Sequence, residues 1–114
     1  TASVSGMFGD YGMASYAAAK GGVINLTRNM ALDFARDGIR VNCLCPGAID
    51  TPLLGGMKQA PGLFDAFIQA VPMKRLGDPA EIGEVVAFLA SDAASYVTGA
   101  VIPVDGGNRE GFLR

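Results

Sequence analysis

The chain has 114 residues, a net charge of −2 and 50% hydrophobic residues, enough for one domain-sized core and too few for two domains. Its nine Lys and Arg residues are dispersed, and no apolar run approaches the roughly 20 residues of a membrane span. The absence of histidine excludes a Ser-His-Asp triad and a histidine metal site. We therefore expect a soluble, cytoplasmic protein that binds no nucleic acid, membrane or metal.

The first half of the chain reads as a loop followed by a long helix. Residues 1–12 are rich in Ser and Gly, and apolar residues at three- and four-residue spacing predict a helix over 13–37 that Gly38 ends. The predicted buried stripe of this helix consists of Val23, Leu26, Met30 and Phe34.

Tyr16 and Lys20 lie one helical turn apart in this helix, with only alanines between them. This spacing places both side chains on one face, within reach of each other. Taken alone, it fits an exposed surface pair better than a proton-handling device.

A strand is predicted over 39–45, with Ile39, Val41, Cys43 and Cys45 on one face. Pro46 and Gly47 end it, and the carboxyl end of a strand is where open α/β sheets hold ligands. The two cysteines are too close in sequence for an unstrained disulfide, so we expect buried free thiols.

The segment 53–75, which we call the lid-like segment, is interrupted by Gly and Pro pairs and contains a short apolar helix at Leu63, Phe64, Phe67, Ile68 and Val71. This pattern fits a mobile cover over a pocket and, equally well, an ordinary helix packed on the core.

The last part of the chain predicts a helix and a strand. Asp78 as cap, Pro79 at the first position and Glu81 in a capping box mark the start of the helix. Its predicted buried stripe consists of Ile82, Val85, Val86 and Leu89. A strand over 100–104 follows, in which Pro103 favours an edge position or the strand's end, before a turn at 105–107.

This order of elements predicts a parallel α/β sheet with a helical crossover. Because two strands do not make a stable sheet covered on both faces, we expect further strands before residue 1.

Five segments together resemble the C-terminal half of a short-chain dehydrogenase/reductase, a Rossmann-type family. They are Ser3, the Y-x-x-x-K pair of Tyr16 and Lys20, and the stretches 39–51, 75–82 and 97–107. The serine loop and its sequence to Tyr16 look most like bacterial members that act on small secondary alcohols, diols or acetoin-like hydroxyketones. The acyl-carrier-protein ketoreductase branch stays open.

The resemblance implies hydride transfer between NAD or NADP and an alcohol or ketone. Tyr16 would donate and accept the proton, Lys20 would assist it and bind the cofactor ribose, and Ser3 would hold the reacting oxygen, with Ser5 as the alternative serine. The implied cofactor-binding residues are Tyr16, Lys20, Pro46, Gly47, Ile49 and Thr51. A small apolar substrate pocket would be lined by Ser5, Tyr11, Ala48, Leu53, Leu54 and Met57.

Gly21 and Gly22 inside the helix suggest that a neighbouring helix packs closely there, as in homo-oligomers of this family, dimers or tetramers. The resemblance makes 1–114 a single partial domain, because no G-x-G-x-x-G phosphate loop is present. The choice between NAD and NADP therefore stays open.

Three alternative functions belong to other classes of protein. A truncated, non-catalytic remnant would serve only as an oligomerising or structural piece. Sugar-nucleotide epimerases also carry Y-x-x-x-K, but usually with a larger C-terminal region. A Ser-Tyr-Lys hydrolase is disfavoured because no S-x-x-K is present.

Overall fold

The structure is a computed structural model that describes residues 1–108. Its helices and strands are α1 (Ala14–Phe34), β1 (Cys43–Pro46), α2 (Gly55–Lys58), α3 (Pro61–Ala70), α4 (Pro79–Ala90) and β2 (Val101–Val104), with short 3-10 turns at Val4–Gly6, Ala35–Asp37, Pro52–Leu54 and Asp92–Ala94. The predicted α/β class is confirmed.

The two strands pair in parallel, with Cys43 opposite Val101 and Pro46 opposite Val104. The first strand is shorter than predicted because, before Cys43, side-chain groups alternate with backbone groups as its hydrogen-bond partners. The Val41 amide donates to the Thr98 hydroxyl at 3.1 Å, and the Ala100 amide donates to the Asn42 side chain at 3.1 Å.

Pro103 is tolerated within β2 because its nitrogen points away from β1. The carbonyl groups of Ala100 and Val104 both accept hydrogen bonds from the β1 side. In a strand, the N–H and C=O groups of successive residues point to alternate edges. The backbone of Pro103 therefore points to the edge of β2 that faces away from β1. The expected edge position is therefore confirmed for the described residues.

A stretch before the first turn lies along the other side of β1. The amide of Ala2 donates to the carbonyl oxygen of Leu44 at 2.7 Å. Cys43, Leu44 and Cys45 are all buried, so β1 is covered on both faces. The predicted alternation of buried and exposed residues is therefore wrong for this strand. The core cluster consists of Ala2, Val4, Ile24, Cys43 and Cys45.

Helix α1 buries a different face from the one predicted. Ile24, Thr27 and Ala31 are buried, whereas Leu26 is 57% and Phe34 38% exposed. The helix packs on the described core through Ile24 and through Val23, the one residue of the predicted stripe that contacts the core cluster. Its end is as predicted, because Gly38 adopts a left-handed conformation with φ of 73° after the final 3-10 turn.

The lid-like segment is more helical than its glycines suggested. Gly55 and Gly56 begin α2 instead of breaking the chain, and α3 ends before the buried Val71. Leu63, predicted for the apolar face, is 62% exposed. An ion pair between Lys58 and Asp50 connects α2 to the loop after β1.

Helix α4 begins as predicted. The Asp78 carboxylate accepts from the Ala80 amide at 2.8 Å, and the Glu81 carboxylate accepts from the Asp78 amide at 2.7 Å, which completes the capping box. The predicted stripe is only partly buried, and Val86 is 46% exposed. Within residues 1–108, no helix is long and apolar enough to cross a membrane.

Candidate active site

A cavity of about 460 Å³ lies at the carboxyl end of β1. Its walls come from the first turn, α1, the loop after β1, the lid-like segment and the start of α4. The lining residues are Ala2, Ser3, Val4, Tyr16, Pro46, Gly47, Ala48, Ile49, Thr51, Leu53, Leu54, Phe67, Pro79, Ile82 and Asn108. The volume falls within the usual range for small-molecule sites, roughly 300–1,000 Å³.

Ser3 reaches this cavity because it caps the first 3-10 turn; we call residues 3–6 the serine turn. Its backbone is extended, and its hydroxyl oxygen accepts a hydrogen bond from the Ser5 amide at 3.2 Å. The residue is only 9% exposed. Because the oxygen already accepts a bond, the hydroxyl proton of Ser3 can be donated to a group in the cavity.

Tyr16 and Lys20 lie side by side on α1. The Lys20 ammonium nitrogen is 5.7 Å from the centre of the Tyr16 ring. Tyr16 lines the cavity and is 40% exposed. The predicted shared face is confirmed, and it places a positive charge beside a phenol that lines the same cavity as Ser3.

The loop after β1, residues 46–51, is held by two backbone hydrogen bonds to Gly77. The Gly77 amide donates to the Ala48 carbonyl, and the Asp50 amide donates to the Gly77 carbonyl, both at 2.9 Å. A Cβ at Gly77 would lie 2.7 Å from the Ile49 side chain. The four loop residues predicted to contact a cofactor, Pro46, Gly47, Ile49 and Thr51, all line the cavity.

The residues predicted for the substrate pocket divide into two groups. Ala48, Leu53 and Leu54 line the cavity. Ser5, Tyr11 and Met57 lie outside its described lining. The Ser5 hydroxyl donates to an Asp10 carboxylate oxygen at 3.0 Å, and Tyr11 is fully exposed at the surface.

Sequence reasoning missed several wall residues. Ile82 belongs to a predicted buried stripe, and Phe67 to a helix that fits a pocket cover and a core helix equally well, because apolar periodicity does not distinguish a core from the wall of a pocket. The sequence around Pro79 indicates only a helix start. Asn108 directly follows the Asp-Gly-Gly turn, whose position after a strand was the available signal.

A smaller cavity of about 140 Å³ lies beside Ala48 and Ile49 and is lined by the Arg75–Glu81 ion pair. The Arg75 guanidinium donates to both Glu81 oxygens at 2.8 Å. This pair supports the capping box of α4, so we interpret the smaller cavity as structural.

The two cysteines lie in the strand beneath the site. Both are free and buried, as predicted. Burial, and then the neighbouring Cys43, raise the pKa of the Cys45 thiol to about 11. A neutral buried thiol is a poor nucleophile, so the cysteines have a packing role.

Comparison with known proteins agrees with this geometry. A family model described as Enoyl-(Acyl carrier protein) reductase matches residues 1–109. Meso-2,3-butanediol dehydrogenase of Serratia marcescens is 51% identical over 107 residues, covering 94% of this chain and 42% of that protein. The chain thus spans less than half the length of this relative.

Two solved structures are similar in fold. An Agrobacterium tumefaciens protein assigned as a 2-deoxy-D-gluconate 3-dehydrogenase, with bound NADP, has a TM-score of 0.91 and 37% identity over 96% of this chain and 44% of its own. A 4-hydroxyisoleucine dehydrogenase complexed with NADH has a TM-score of 0.92 and 34% identity over 96% of this chain and 45% of its own. On the matched motifs, fold and sequence, the chain belongs to the short-chain dehydrogenase/reductase family.

Proposed function

We propose that the protein containing this chain is an oxidoreductase that transfers a hydride between NAD or NADP and a small secondary alcohol or ketone. The observation that carries the proposal is the meeting of Ser3, Tyr16 and the loop after β1 around one cavity, with Lys20 beside Tyr16. Because the chain covers 42% of a dehydrogenase relative, the activity is proposed for the complete protein.

The loop after β1 fits the nicotinamide end of such a cofactor. The cavity wall there is uncharged and combines flat apolar surface at Pro46 and Ile49 with the hydroxyl of Thr51. A nicotinamide is a flat, neutral ring with an amide, which needs an apolar face and a few hydrogen-bonding groups. When bound, the cofactor supplies or accepts the hydride.

Tyr16 is the proposed proton donor and acceptor. Oxidation of an alcohol removes the hydroxyl proton together with the carbon-bound hydride, and reduction of a ketone adds both. Tyr16 carries an exchangeable proton at the cavity wall. Lys20, 5.7 Å from the ring centre, brings positive charge close to the phenolate oxygen that remains after proton donation.

Ser3 is the proposed anchor of the substrate oxygen. Its hydroxyl is buried and held in place by the Ser5 amide at 3.2 Å. A positioned donor stabilises the negative charge that develops on this oxygen during proton transfer. Ser5 is the weaker candidate, because its hydroxyl donates to Asp10.

A small, largely apolar substrate fits the remaining walls. Ala48, Leu53 and Leu54, joined by Phe67 and Ile82, make up the side of the cavity away from α1. The similarity to a 2,3-butanediol dehydrogenase favours small diols and hydroxyketones. The lid-like segment supplies Leu53, Leu54 and Phe67, so we propose that it covers the substrate.

We further infer a homo-oligomer in the cytoplasm. Leu26 and Leu32 of α1 are 57% and 79% exposed, which leaves apolar surface that the rest of the complete protein or a second copy can cover. The free thiols fit a reducing compartment. Sedimentation of the complete protein measures the oligomeric state, and a monomer would contradict this inference.

The proposed function is tested by turnover of the complete protein with NAD(H) or NADP(H) and a panel of small diols and hydroxyketones. Tyr16→Phe should reduce kcat by about 10²- to 10⁴-fold, the usual contribution of a general acid–base group. Tyr96→Phe is the matched control, because Tyr96 is fully exposed and outside the cavity lining. Equal activity of the two variants would exclude the proposed role of Tyr16.

A further inference from the structure

The backbone of Gly6 lies directly against the peptide bond that joins Lys20 to Gly21. A Cβ at Gly6 would lie 2.7 Å from the Lys20 carbonyl carbon, 2.8 Å from the Gly21 nitrogen and 2.9 Å from the Lys20 oxygen. All three are backbone atoms within α1, and these separations are too short for any side chain. Only glycine allows the serine turn to approach the helix this closely.

Gly6 and Ser3 belong to one hydrogen-bonded turn. The Gly6 amide donates to the Ser3 carbonyl oxygen at 3.0 Å, and the Met7 amide donates to the Val4 carbonyl oxygen at 2.8 Å. The Ser5 amide donates to the Ser3 hydroxyl oxygen at 3.2 Å. Because the turn is closed by these bonds, a displacement of Gly6 moves Ser3 as well.

The other end of the turn is fixed to the sheet. The Ala2 amide donates to the Leu44 carbonyl oxygen at 2.7 Å, and Val4 is buried in the core cluster. The serine turn therefore has two attachments, one to β1 and one to the segment of α1 that carries Lys20. The second attachment determines how far the Ser3 hydroxyl lies from α1.

Gly21 of α1 faces the serine turn. Within the described residues, a Cβ at Gly21 would contact the Gly6 carbonyl oxygen at 3.4 Å, and a Cβ at Gly22 would have no neighbour within 4 Å. The helix contact predicted for these two glycines therefore stays a prediction about the oligomer, and Gly22 is the residue that leaves room for it.

We propose that Gly6 is a positioning residue that sets the spacing between the Ser3 hydroxyl and the Tyr16–Lys20 pair. The proposal rests on the proposed function, in which Ser3 and Tyr16 act on the same substrate oxygen. A side chain at residue 6 would move the serine turn away from α1 and separate the two groups. A misplacement of about 1 Å can lower a rate by about 10²-fold.

The first test compares Gly6→Ala with Gly9→Ala in the complete protein. Gly9 lies in the same loop, and a Cβ there would meet nothing within 4 Å among residues 1–108. Gly6→Ala should lower kcat by roughly 10- to 100-fold, with KM for the cofactor changed much less, and Gly9→Ala should retain wild-type kcat. Equal kcat in the two variants would overturn the proposal.

A double-mutant cycle separates positioning from general damage. In a background that already lacks the serine hydroxyl, Ser3→Ala, the added Gly6→Ala change should reduce kcat by less than about three-fold, because no hydroxyl remains to be misplaced. If Gly6→Ala instead lowers kcat by the same factor with and without the Ser3 hydroxyl, Gly6 affects only the overall structure and the proposal fails.

Gly21→Val provides a second variant in case Gly6→Ala does not fold. A Cβ at Gly21 would make only an ordinary contact of 3.4 Å with the Gly6 carbonyl oxygen, so the added methyl groups of valine are needed to press on the serine turn from the helix side. This variant should lower kcat several-fold, and wild-type kcat would count against the proposal. Ser3→Ala with wild-type turnover would refute the role of Ser3 in the proposed function. If the Ser3→Ala variant has a lowered kcat and the separate Gly6→Ala variant is fully active, only the positioning role of Gly6 would be refuted.

Discussion

The amide of Gly47 donates a hydrogen bond of 3.0 Å to the carbonyl oxygen of Val104, which joins the loop after β1 to the end of β2. A Cβ at Gly47 would lie 2.6 Å from the Asp105 Cβ and 2.8 Å from its Cα. The family resemblance implies that Gly47 contacts the cofactor. The packing of the two strand ends already requires glycine at residue 47, whether or not a ligand is bound.

Gly47→Ala should therefore destabilise the fold. Because the contacts include backbone at Asp105, relief requires the strand ends to separate, and overpacking of this kind typically costs about 1–3 kcal/mol. The free energy of unfolding of the complete protein in urea measures the effect.

Gly83→Ala is the matched control for this substitution. Gly83 lies within α4, and a Cβ there would meet no atom of the described part of the chain within 4 Å, so alanine should raise the free energy of unfolding by up to about 1 kcal/mol. Equal stability of Gly47→Ala and the wild type would show that the strand ends adjust freely.

Asp78→Ala should lower stability by about 0.5–2 kcal/mol, because the Ala80 amide loses the carboxylate that caps α4. Urea unfolding again provides the measurement. Asp33→Ala, at an exposed position in α1, removes the same side chain away from a helix start and should change stability much less. A similar loss in both variants would mean that charge, and not capping, causes the effect.

The pH dependence of stability should report on Glu81. Hydrogen bonds from Arg75, and then from the Asp78 amide, lower the pKa of the Glu81 carboxyl to about 2, from an ordinary value of 4.5. A lowered pKa stabilises the folded state above the ordinary value, and this contribution disappears as pH falls through the folded value. The stability difference between wild type and Glu81→Gln should thus be constant above about pH 5 and shrink towards pH 2. A difference that does not change over this range would contradict the ion-pair explanation.

Local signals in the sequence were the most informative about the fold. The capping box at 78–81 and the left-handed Gly38 depend on residues that are neighbours in sequence, so they could be predicted. The face that α1 buries could not, because it depends on contacts with the serine turn and β1. Leu26 belongs to the predicted buried stripe but is exposed, whereas Thr27 is buried.

The cavity was predictable only in part, for the same reason. The strand end at Pro46, and the family resemblance carried by Ser3, Tyr16 and Lys20, indicate where it lies. Phe67 and Ile82 reach it from helices distant in sequence, and their apolar spacing is identical to that of core residues.

The thiols should be inert in the folded protein. Cys43 and Cys45 are 1% and 0% exposed, and the raised pKa of the Cys45 thiol, about 11, keeps it neutral at pH 7. Iodoacetamide at neutral pH should label neither cysteine before denaturation and both after it. Tyr96→Cys, at a fully exposed position, is the positive control and should react at once. Rapid native labelling of Cys45 would show that the core around β1 opens.

The last prediction separates the two serines. Ser3→Ala removes a buried hydroxyl from the cavity wall and should lower kcat by roughly 10²- to 10³-fold, as expected for loss of a donor to a developing negative charge. Ser5→Ala removes a hydroxyl that donates to Asp10 at 3.0 Å outside the lining, so kcat should fall only a few-fold.

Asp10→Asn completes the comparison, because it weakens the same Ser5 contact without touching the cavity wall. If the effect of Ser5→Ala arises from loop order, the two variants should behave alike and combine without further loss. A loss in Ser5→Ala as large as that in Ser3→Ala, with Asp10→Asn unaffected, would instead assign the substrate-binding hydroxyl to Ser5. The serine turn would then have to rotate on substrate binding, because in the present structure it is Ser3 that lines the cavity.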